Sequence, residues 1–512
     1  MDSEREEVKA SEGVIPQAGL VAGPLLALFF VLFFDLDPDH PEVTRTAAVA
    51  ILMAVWWMTE AIPLAVTSLL PIVLFPLLGI MSGKIVAPIY FNHVIFLFIG
   101  GFIVALAMQR WELHKRIALR ILLLFGVHPL SILMGFMVAT WFLSMWISNT
   151  AATMMMVPIV LAIVIKLEES IGKKAISRYS RGLFLGVAYS ASIGGIATLV
   201  GTPPNLSFAR IFSITFPGAP EISFATWFVF ALPLSVIFLG LTWFLLSLLF
   251  CGRGNFTIDI DIFREQYRKL GPLSFEEGVV LVDFVLLALL WLTRNGITVG
   301  SVHMPGWSAL FPDKSFLNDG TVAIAMAIIL FLIPVRGRRG GRVMEWKTAS
   351  KLPWNIVLLF GGGFALATGF KESGLSMLLG HQMEGLSSLH PILLIAALCF
   401  FITFLTEFTS NTATAEMLLP VLAALAVAIE VNPLLLMIPG TLSCSFAFML
   451  PVATPPNAII FGTDRLTIPQ MVKTGVILNL LGVVLITLAT YLLAQVVFGI
   501  DLTHFPEWAV LK

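Results

Sequence analysis

Long apolar runs separated by short polar segments dominate the chain. A membrane-crossing helix needs about 20 apolar residues. Runs near 18–35, 44–60, 63–81, 92–109, 182–200, 224–250, 278–294, 319–335, 354–371, 434–450 and 471–498 predict eleven such helices. Two further stretches, 129–165 and 391–429, are too long for one crossing, and each is interrupted centrally by the same polar tripeptide, Ser148-Asn149-Thr150 and Ser410-Asn411-Thr412. Each predicts a re-entrant hairpin: two half-helices that enter and leave on one side, with the tripeptide at the tip. The expected fold is an all-α polytopic membrane protein of about eleven spans plus two hairpins.

The tripeptides belong to a wider duplication. At the same spacing of 262 residues, Gly101-Phe102 matches Gly363-Phe364, His128-Pro129 matches His390-Pro391, and Pro158 matches Pro420. Gly201-Thr202-Pro203-Pro204-Asn205 is answered by Ala453-Thr454-Pro455-Pro456-Asn457. Five predicted crossings separate the starts of the two copies, so the copies have opposite orientation. Inverted repeats with broken helices are the architecture of secondary transporters. The expected organisation is a cytoplasmic tail (1–17), scaffold helices (18–109), a first hairpin with transport helices (129–250), a second set of scaffold helices (278–371), and a second hairpin with transport helices (391–498).

Composition and charge agree with this picture. The 512 residues are 58% hydrophobic and 12% charged, against about 25% charged for soluble domains, and the mean hydropathy is +0.95. With the N-terminus inside and the hairpins counted as no crossing, 23 of the 30 Lys and Arg residues fall in cytoplasmic segments, as the positive-inside rule asks. The clusters Arg336, Arg338, Arg339, Arg342 and Lys173, Lys174, Arg178, Arg181 carry most of this signal. A net charge of −1 argues against a nucleic-acid partner, and Cys251, Cys399 and Cys444 show no metal-ligand spacing. The acidic segment Met1 to Gln17 lacks the basic start and cleavage site of a signal peptide. The N-x-Ser/Thr matches at Asn205 and Asn255 lie at membrane depth and in a predicted cytoplasmic loop, where glycosylation is not expected.

The chemistry concentrates where lipid should forbid polarity. A Pro-Pro pair within a span removes backbone donors, and in lipid the freed carbonyls need partners. Unwound carbonyls suit a small hard cation, and half-helix N-termini suit an anion. Ser, Thr and Asn add neutral oxygens for the one and donors for the other. No Lys or Arg lies within these segments, so a bound dianion calls for co-bound cations, and cation and anion should bind interdependently. Ser and Thr in membrane helices also serve packing, but the paired occurrence beside broken helices favours a site. Gly361-Gly362-Gly363 lacks a Gly-Lys-Ser/Thr ending and reads as helix packing. Of the acids placed within spans, Glu60, Asp283, Glu407 and Glu416, the last two flank the second tip, but their counterparts in the first copy are Met145 and Met154. They read as solvated vestibule or gating groups. His128 and His390, each before a proline, read as helix starts.

Together the paired tips, the paired Thr-Pro-Pro breaks and Thr406-Glu407-Phe408 resemble the divalent-anion/sodium symporter family of bacterial dicarboxylate transporters and mammalian citrate and sulfate carriers. The likeness runs from about residue 18 to 498. It implies a homodimer in the bacterial inner membrane, with the N-terminus cytoplasmic and the C-terminus extracytoplasmic. It also implies a transport domain that slides as an elevator, and sodium-coupled symport of a C4-dicarboxylate such as succinate, malate or fumarate. Residues implied for the substrate are Ser148, Asn149, Thr150, Ser410, Asn411, Thr412, Thr454 and Pro455. Those implied for about two or more co-transported sodium ions per transport domain are Ser144, Ser148, Asn149 and Gly195 in one site, and Thr406, Thr409, Asn411 and Ala453 in the other. A sodium-independent exchanger and a sulfate or citrate carrier are rivals on the same scaffold. An intramembrane hydrolase would need a nucleophile with a nearby base, and a channel a continuous polar path; neither is visible in the sequence. The stretch 295–318 departs from the pattern as a long extracellular loop.

Overall fold

Proline, glycine and side-chain caps decide where the apolar runs become separate helices. The computed structural model describes residues 2–251, 261–299, 302–336, 340–382, 385, 389–502 and 504–510. Helix α1 (Asp2–Phe33) continues without interruption from the polar tail into the first apolar run, whose Leu25, Leu28, Phe29, Leu32 and Phe33 are exposed. In water that would be costly; in lipid it is the expected outer surface. Helix α2 (Pro41–Thr59) starts with proline at its first position and stops at Glu60, which adopts a left-handed conformation at φ 48°. Glu60 is exposed and ends the helix, so it is not an acid within a span.

The third apolar run does not form one helix. Pro63, Pro71 and Pro76 accompany its division into α3 (Leu64–Thr67) and α4 (Leu70–Leu77), followed by α5 (Gly83–Val86). Helix α6 (His93–Arg110) begins where the Asn92 side chain accepts the amides of Val94 and Ile95, and α7 (Leu113–Phe125) is a shorter amphipathic helix. The first tripeptide stretch then gives α8 (Pro129–Ser144) and α9 (Asn149–Ile171), which pack on each other. They are followed by α10 (Lys173–Gly195), α11 (Pro203–Thr215), α12 (Phe224–Phe250), α13 (Asp261–Lys269) and α14 (Phe275–Thr293). A reciprocal cap between Ser274 and Glu277 opens α14.

Within 295–318 lies a short antiparallel ribbon, β1 (Ile297–Val299) against β2 (Val302–Met304). The second half runs through α15 (Asp319–Leu332), α16 (Trp346–Ala349), α17 (Trp354–Glu372), α18 (Leu375–Gln382), α19 (Pro391–Leu405), α20 (Asn411–Ala428), α21 (Leu434–Ser443), α22 (Pro455–Phe461) and α23 (Ile468–Phe498). Among the described residues six continuous helical stretches are long and apolar enough to cross a membrane by themselves, and a seventh is counted if α17 and α18, bent by 75°, form one span. The predicted spans 182–200 and 434–450 lose regular structure early, at Gly195 and Ser443.

Small residues and a few ion pairs fix the packing. A β-carbon at Gly100 of α6 would lie 2.5 Å from the Ala323 backbone of α15, so these helices cross in direct contact. Arg116 of α7 donates to both Glu277 oxygens, at 2.9 and 3.0 Å, and to the Gly271 carbonyl. Arg294 ties the end of α14 to Asp319 (2.5 Å) and Glu221 (2.7 Å). Arg465, beyond α22, pairs with Glu168 of α9. In the predicted basic cluster, the Arg336 amide donates to Glu276, while Arg338 and Arg339, like the Asn255 and Thr257 of the second glycosylation match, lie outside the described residues.

Candidate functional site

Both tripeptides sit at helix starts. Ser148 caps α9, its hydroxyl accepting the Ala151 amide at 3.2 Å, and Ser410 occupies the equivalent position before α20. Asn149 and Asn411 are the first residues of their helices, where backbone amides point away from the helix and remain available to an anion. Thr202 and Thr454 stand in the same cap position before α11 and α22. Those two helices begin with Pro-Pro, so their first positions lack donors. The amide-rich ends are therefore the two Ser-Asn-Thr tips.

The location of the breaks differs from the expectation in one respect. Pro203-Pro204 and Pro455-Pro456 do not interrupt a helix; they begin one, as proline does well at first helical positions. The unwound segments lie just before them, at 196–202 and 444–454. Glycine permits the first. A β-carbon at Gly194 would lie 2.2 Å from the Trp141 carbonyl oxygen, and one at Gly201 would lie 2.4 Å from that of Gly195.

What satisfies the unwound carbonyls is the asparagine that closes each Thr-Pro-Pro-Asn motif. The Asn205 amide donates to the carbonyls of Thr198 (2.7 Å), Ile196 (3.3 Å) and Gly195 (3.4 Å). The Asn457 amide donates to Leu450 (3.0 Å) and Ala447 (3.1 Å). Both asparagines are fully buried. They were visible as part of the repeated motif, yet sequence reasoning gave them no role.

Of the residues predicted for the cation sites, Ser144, Asn149 and Gly195 meet in the first half, and Thr406 and Asn411 meet in the second. Ser144 Oγ lies 2.6 Å from Asn149 Oδ1, and Gly195 packs so closely on Asn149 that an added β-carbon would lie 2.6 Å from the same oxygen. In the second half Thr406 Oγ1 lies 2.9 Å from Asn411 Oδ1 and donates to the Cys444 carbonyl at 3.0 Å. The pairing of Ser144 with Thr406 under the 262-residue spacing is thus reproduced in side-chain geometry. All these donors are neutral oxygens, the ligand chemistry of a hard cation. Thr409 is engaged elsewhere: its hydroxyl meets Thr414 Oγ1 at 2.6 Å and the Leu405 carbonyl at 3.1 Å. Ala453 is buried beside the cap Thr454, whose hydroxyl accepts the Asn457 amide, and Pro455 is exposed. Thr150 is half-buried and Thr412 buried one position beyond the asparagines. Among the described hydrogen bonds none runs directly between the two tips.

Three expectations about nearby residues have clear outcomes. His128 Nδ1 and His390 Nδ1 accept the amides of Leu130 and Ile392, so both histidines are helix caps. Gly361 packs on Tyr90, Gly362 on the Ser68 backbone and Gly363 on Glu416, so the glycine run is a packing surface. Glu407 and Glu416 are not vestibule groups, since both are buried. The Glu407 carboxylate accepts the backbone amides of Phe448 (2.7 Å), Met449 (2.8 Å) and Leu450 (2.9 Å) and the side chain of Asn479 (2.8 Å). It holds the second unwound segment. In the first half Thr198 does the corresponding work by donating to the Met145 carbonyl at 2.6 Å.

The chain is similar to known proteins over most of its length. Residues 25–500 match the family model described as the sodium:sulfate symporter transmembrane region. The chain is 42% identical over 498 residues to the sodium-dependent dicarboxylate transporter SdcS of Staphylococcus saprophyticus, covering 95% of this chain and 93% of that protein. It is 43% identical over 514 residues to SdcS of Staphylococcus aureus strain RF122, covering 95% and 92%. Among solved structures it resembles the Alcanivorax borkumensis YdaH transporter, with TM-score 0.54 and 14% identity over 93% of this chain and 98% of that one. It also resembles Neisseria gonorrhoeae MtrF, with TM-score 0.53 and 13% identity over 91% and 96%; at such identities the likeness is one of fold. The chain is therefore an integral membrane transport protein, and it belongs to the sodium:sulfate symporter family.

Proposed function

We propose that the protein is a sodium-coupled symporter of C4-dicarboxylates such as succinate, malate and fumarate. The observation that carries the reading is the duplicated constellation in which a hydroxyl meets the tip asparagine, Ser144 with Asn149 and Thr406 with Asn411, each at the start of a helix. Relatives named sodium-dependent dicarboxylate transporters at 42% and 43% identity support the same substrate class. In this reading the tip asparagines serve both partners. Their oxygens, with Ser144, Ser148 and the Gly195 carbonyl in one half and Thr406 and the Cys444 and Ala453 carbonyls in the other, ligate sodium. Their amides, with Thr150, Thr412, Ser410, Thr454 and the helix starts, receive the two carboxylates. The tip and break segments carry no Lys or Arg to neutralise a dianion, so sodium does so and ion and substrate bind together.

The remaining architecture follows the same reading. The two halves are inverted repeats, the hairpins and the helices around the breaks form a transport domain, and that domain moves as an elevator against a scaffold that dimerises. The protein lies in the bacterial inner membrane with its N-terminus cytoplasmic and its C-terminus outside. Sulfate is the competing anion, because the family description names it. The deciding experiment is uptake of labelled succinate into proteoliposomes with and without an inward sodium gradient, and with excess sulfate or citrate as competitor. Sodium-stimulated succinate uptake is expected. Uptake that ignores sodium and needs internal dicarboxylate would replace the symporter by an exchanger, and stronger inhibition by sulfate than by unlabelled succinate would replace the substrate.

A further inference from the structure

The C-terminal half of α11 borders a cavity away from both tips. It has a volume of about 160 Å³ and runs from the linker between α11 and α12 to Leu199 in the first unwound segment. Val94 and Leu97 of α6, Phe212 and Phe216 of α11, and Ile222 of the linker make its wall largely apolar. An engineered apolar cavity of about 150 Å³ takes up benzene, so this one has room for a molecule of about six heavy atoms.

The polar groups of the wall divide into those already engaged and those with hydrogens to spare. Glu221 and Asp319 line the cavity, and all four of their carboxylate oxygens have donors. Asp319 accepts from Arg294 Nε at 2.5 Å and the Phe224 amide at 2.8 Å, and Glu221 from Arg294 Nη2 at 2.7 Å and Asn295 Nδ2 at 3.1 Å. His93 and Ser213 line it too. Ser213 holds Arg210: the guanidinium Nη1 donates to its hydroxyl at 3.3 Å, and that hydroxyl donates to the Arg210 carbonyl at 2.9 Å. Arg210 is half-buried. Its Nε has no partner, and no acid pairs with the guanidinium among the described residues. Nor does the His93 ring form a hydrogen bond among them. Arg210, Glu221 and Arg294 all act electrostatically on His93, so the guanidinium lies within electrostatic reach of the ring.

An arginine among apolar helices with no opposite charge in contact marks a functional site. Its planar fork of N–H groups matches a carboxylate, and a neutral imidazole adds one further donor. A cation fits poorly, because the nearby carboxylate oxygens are committed to Arg294, Asn295 and the Phe224 amide. We propose that this cavity is a second binding site, separate from the tips, for a small monocarboxylate with a short apolar body. The carboxylate meets Arg210 and the His93 N–H, and the body fills the space between Leu97, Leu199 and Phe212. A second carboxylate would meet that apolar wall, so succinate is a poor ligand here. Bound in this way, the ligand touches α6 on one side and α11 on the other and braces them against relative movement.

Fluorine NMR of the purified full chain with a terminally fluorinated butyrate, added as its potassium salt, tests the site without reference to transport. The probe signal should broaden with wild type and stay sharp with Arg210→Gln, and the corresponding amide should stay sharp with both. No broadening in wild type, its persistence in Arg210→Gln, or equal broadening of the amide overturns the proposal. Unlabelled carboxylates should displace the probe about fourfold better for each methylene added from acetate to butyrate, whereas adamantane carboxylate, too bulky for the cavity, should not displace it. Equal displacement along the series, or by chloride, shows a simple anion site and overturns the apolar pocket. Displacement by succinate with sodium present, at concentrations that saturate uptake, puts the probe at the tips and overturns the second site. The displacement series uses wild type, so it decides the matter even where Arg210→Gln fails to fold. The second arm rests on the dicarboxylate reading. At constant sodium, butyrate should lower the maximal rate of succinate uptake and leave the half-saturating succinate concentration unchanged. A raised half-saturating concentration at unchanged maximal rate overturns the second site, and full uptake where the probe is bound refutes the bracing. A protein that binds the probe but moves no succinate refutes the substrate reading and leaves the carboxylate site standing.

Discussion

Glu407→Gln separates a carboxylate that organises the second unwound segment from one that merely fills space. Oε1 receives three donors, from Phe448, Met449 and Asn479, and Oε2 receives the Leu450 amide at 2.9 Å. Glutamine can keep an oxygen for the first three, but places an NH2 group against the Leu450 N–H. Hydrogen bonds to a charged acceptor contribute about 1.5–3 kcal/mol each and neutral ones about 1. Weakening three and losing one costs about 4 kcal/mol on that scale, close to a thousandfold in equilibrium. The penalty falls on residues 444–454, which carry the Cys444 and Ala453 carbonyls. If the ordered segment is what binds sodium, the half-saturating sodium concentration rises in proportion to the population lost. The assay is sodium-activated succinate uptake, paired with thermal melting in detergent and with Glu60→Gln, an exposed glutamate, as reference. Glu407→Gln with the reference's sodium activation and melting temperature would refute the reasoning.

Other substitutions test neighbouring parts. Ser144→Ala and Thr406→Ala should each raise the sodium requirement while leaving protein abundance near wild type; unchanged sodium activation in both removes the cation assignment. Asn457→Ala leaves the Leu450 and Ala447 carbonyls unpaired, at about 1–3 kcal/mol each, and should lower the melting temperature and uptake together. Asp319→Asn leaves Arg294 buried with a weakened partner, and loss of a buried pair costs about 3–5 kcal/mol; reduced folded yield on size exclusion is the readout. Gly194→Ala forces a β-carbon to 2.2 Å from a backbone carbonyl oxygen and should abolish folded protein, whereas Gly240→Ala, with open space around it, should be silent.

The parts of this molecule that could be read from its sequence are those where a residue contradicts its surroundings. Ser-Asn-Thr in an apolar run marked the starts of α9 and α20, and the repetition of Thr-Pro-Pro-Asn marked both unwound segments. Histidine before proline marked two helix starts. The readings that changed depend on partners distant in the chain. Glu407 meets Asn479 across 72 residues and Glu416 meets Ser207 across 209, and without those partners a polar acid near a tip reads as solvated. The third apolar run looked continuous because hydropathy does not register the backbone consequences of Pro71 and Pro76. The two buried asparagines were given no role for a different reason: their work is done on carbonyl groups, which every residue has and no sequence displays.

The two unwound segments are held by different means, and on the proposed cation sites this predicts unequal timing for the two halves. The first is held by neutral groups, Thr198 and Asn205; the second is held partly by the carboxylate of Glu407. With Glu407 ionised, as its four N–H donors favour, a cation arriving at the second half meets a negative charge nearby, and one arriving at the first does not. Loading should therefore be sequential, with the Thr406–Asn411 side filling at lower sodium than the Ser144–Asn149 side. A chain assembled from two copies of the first half would keep both tips and lose that order.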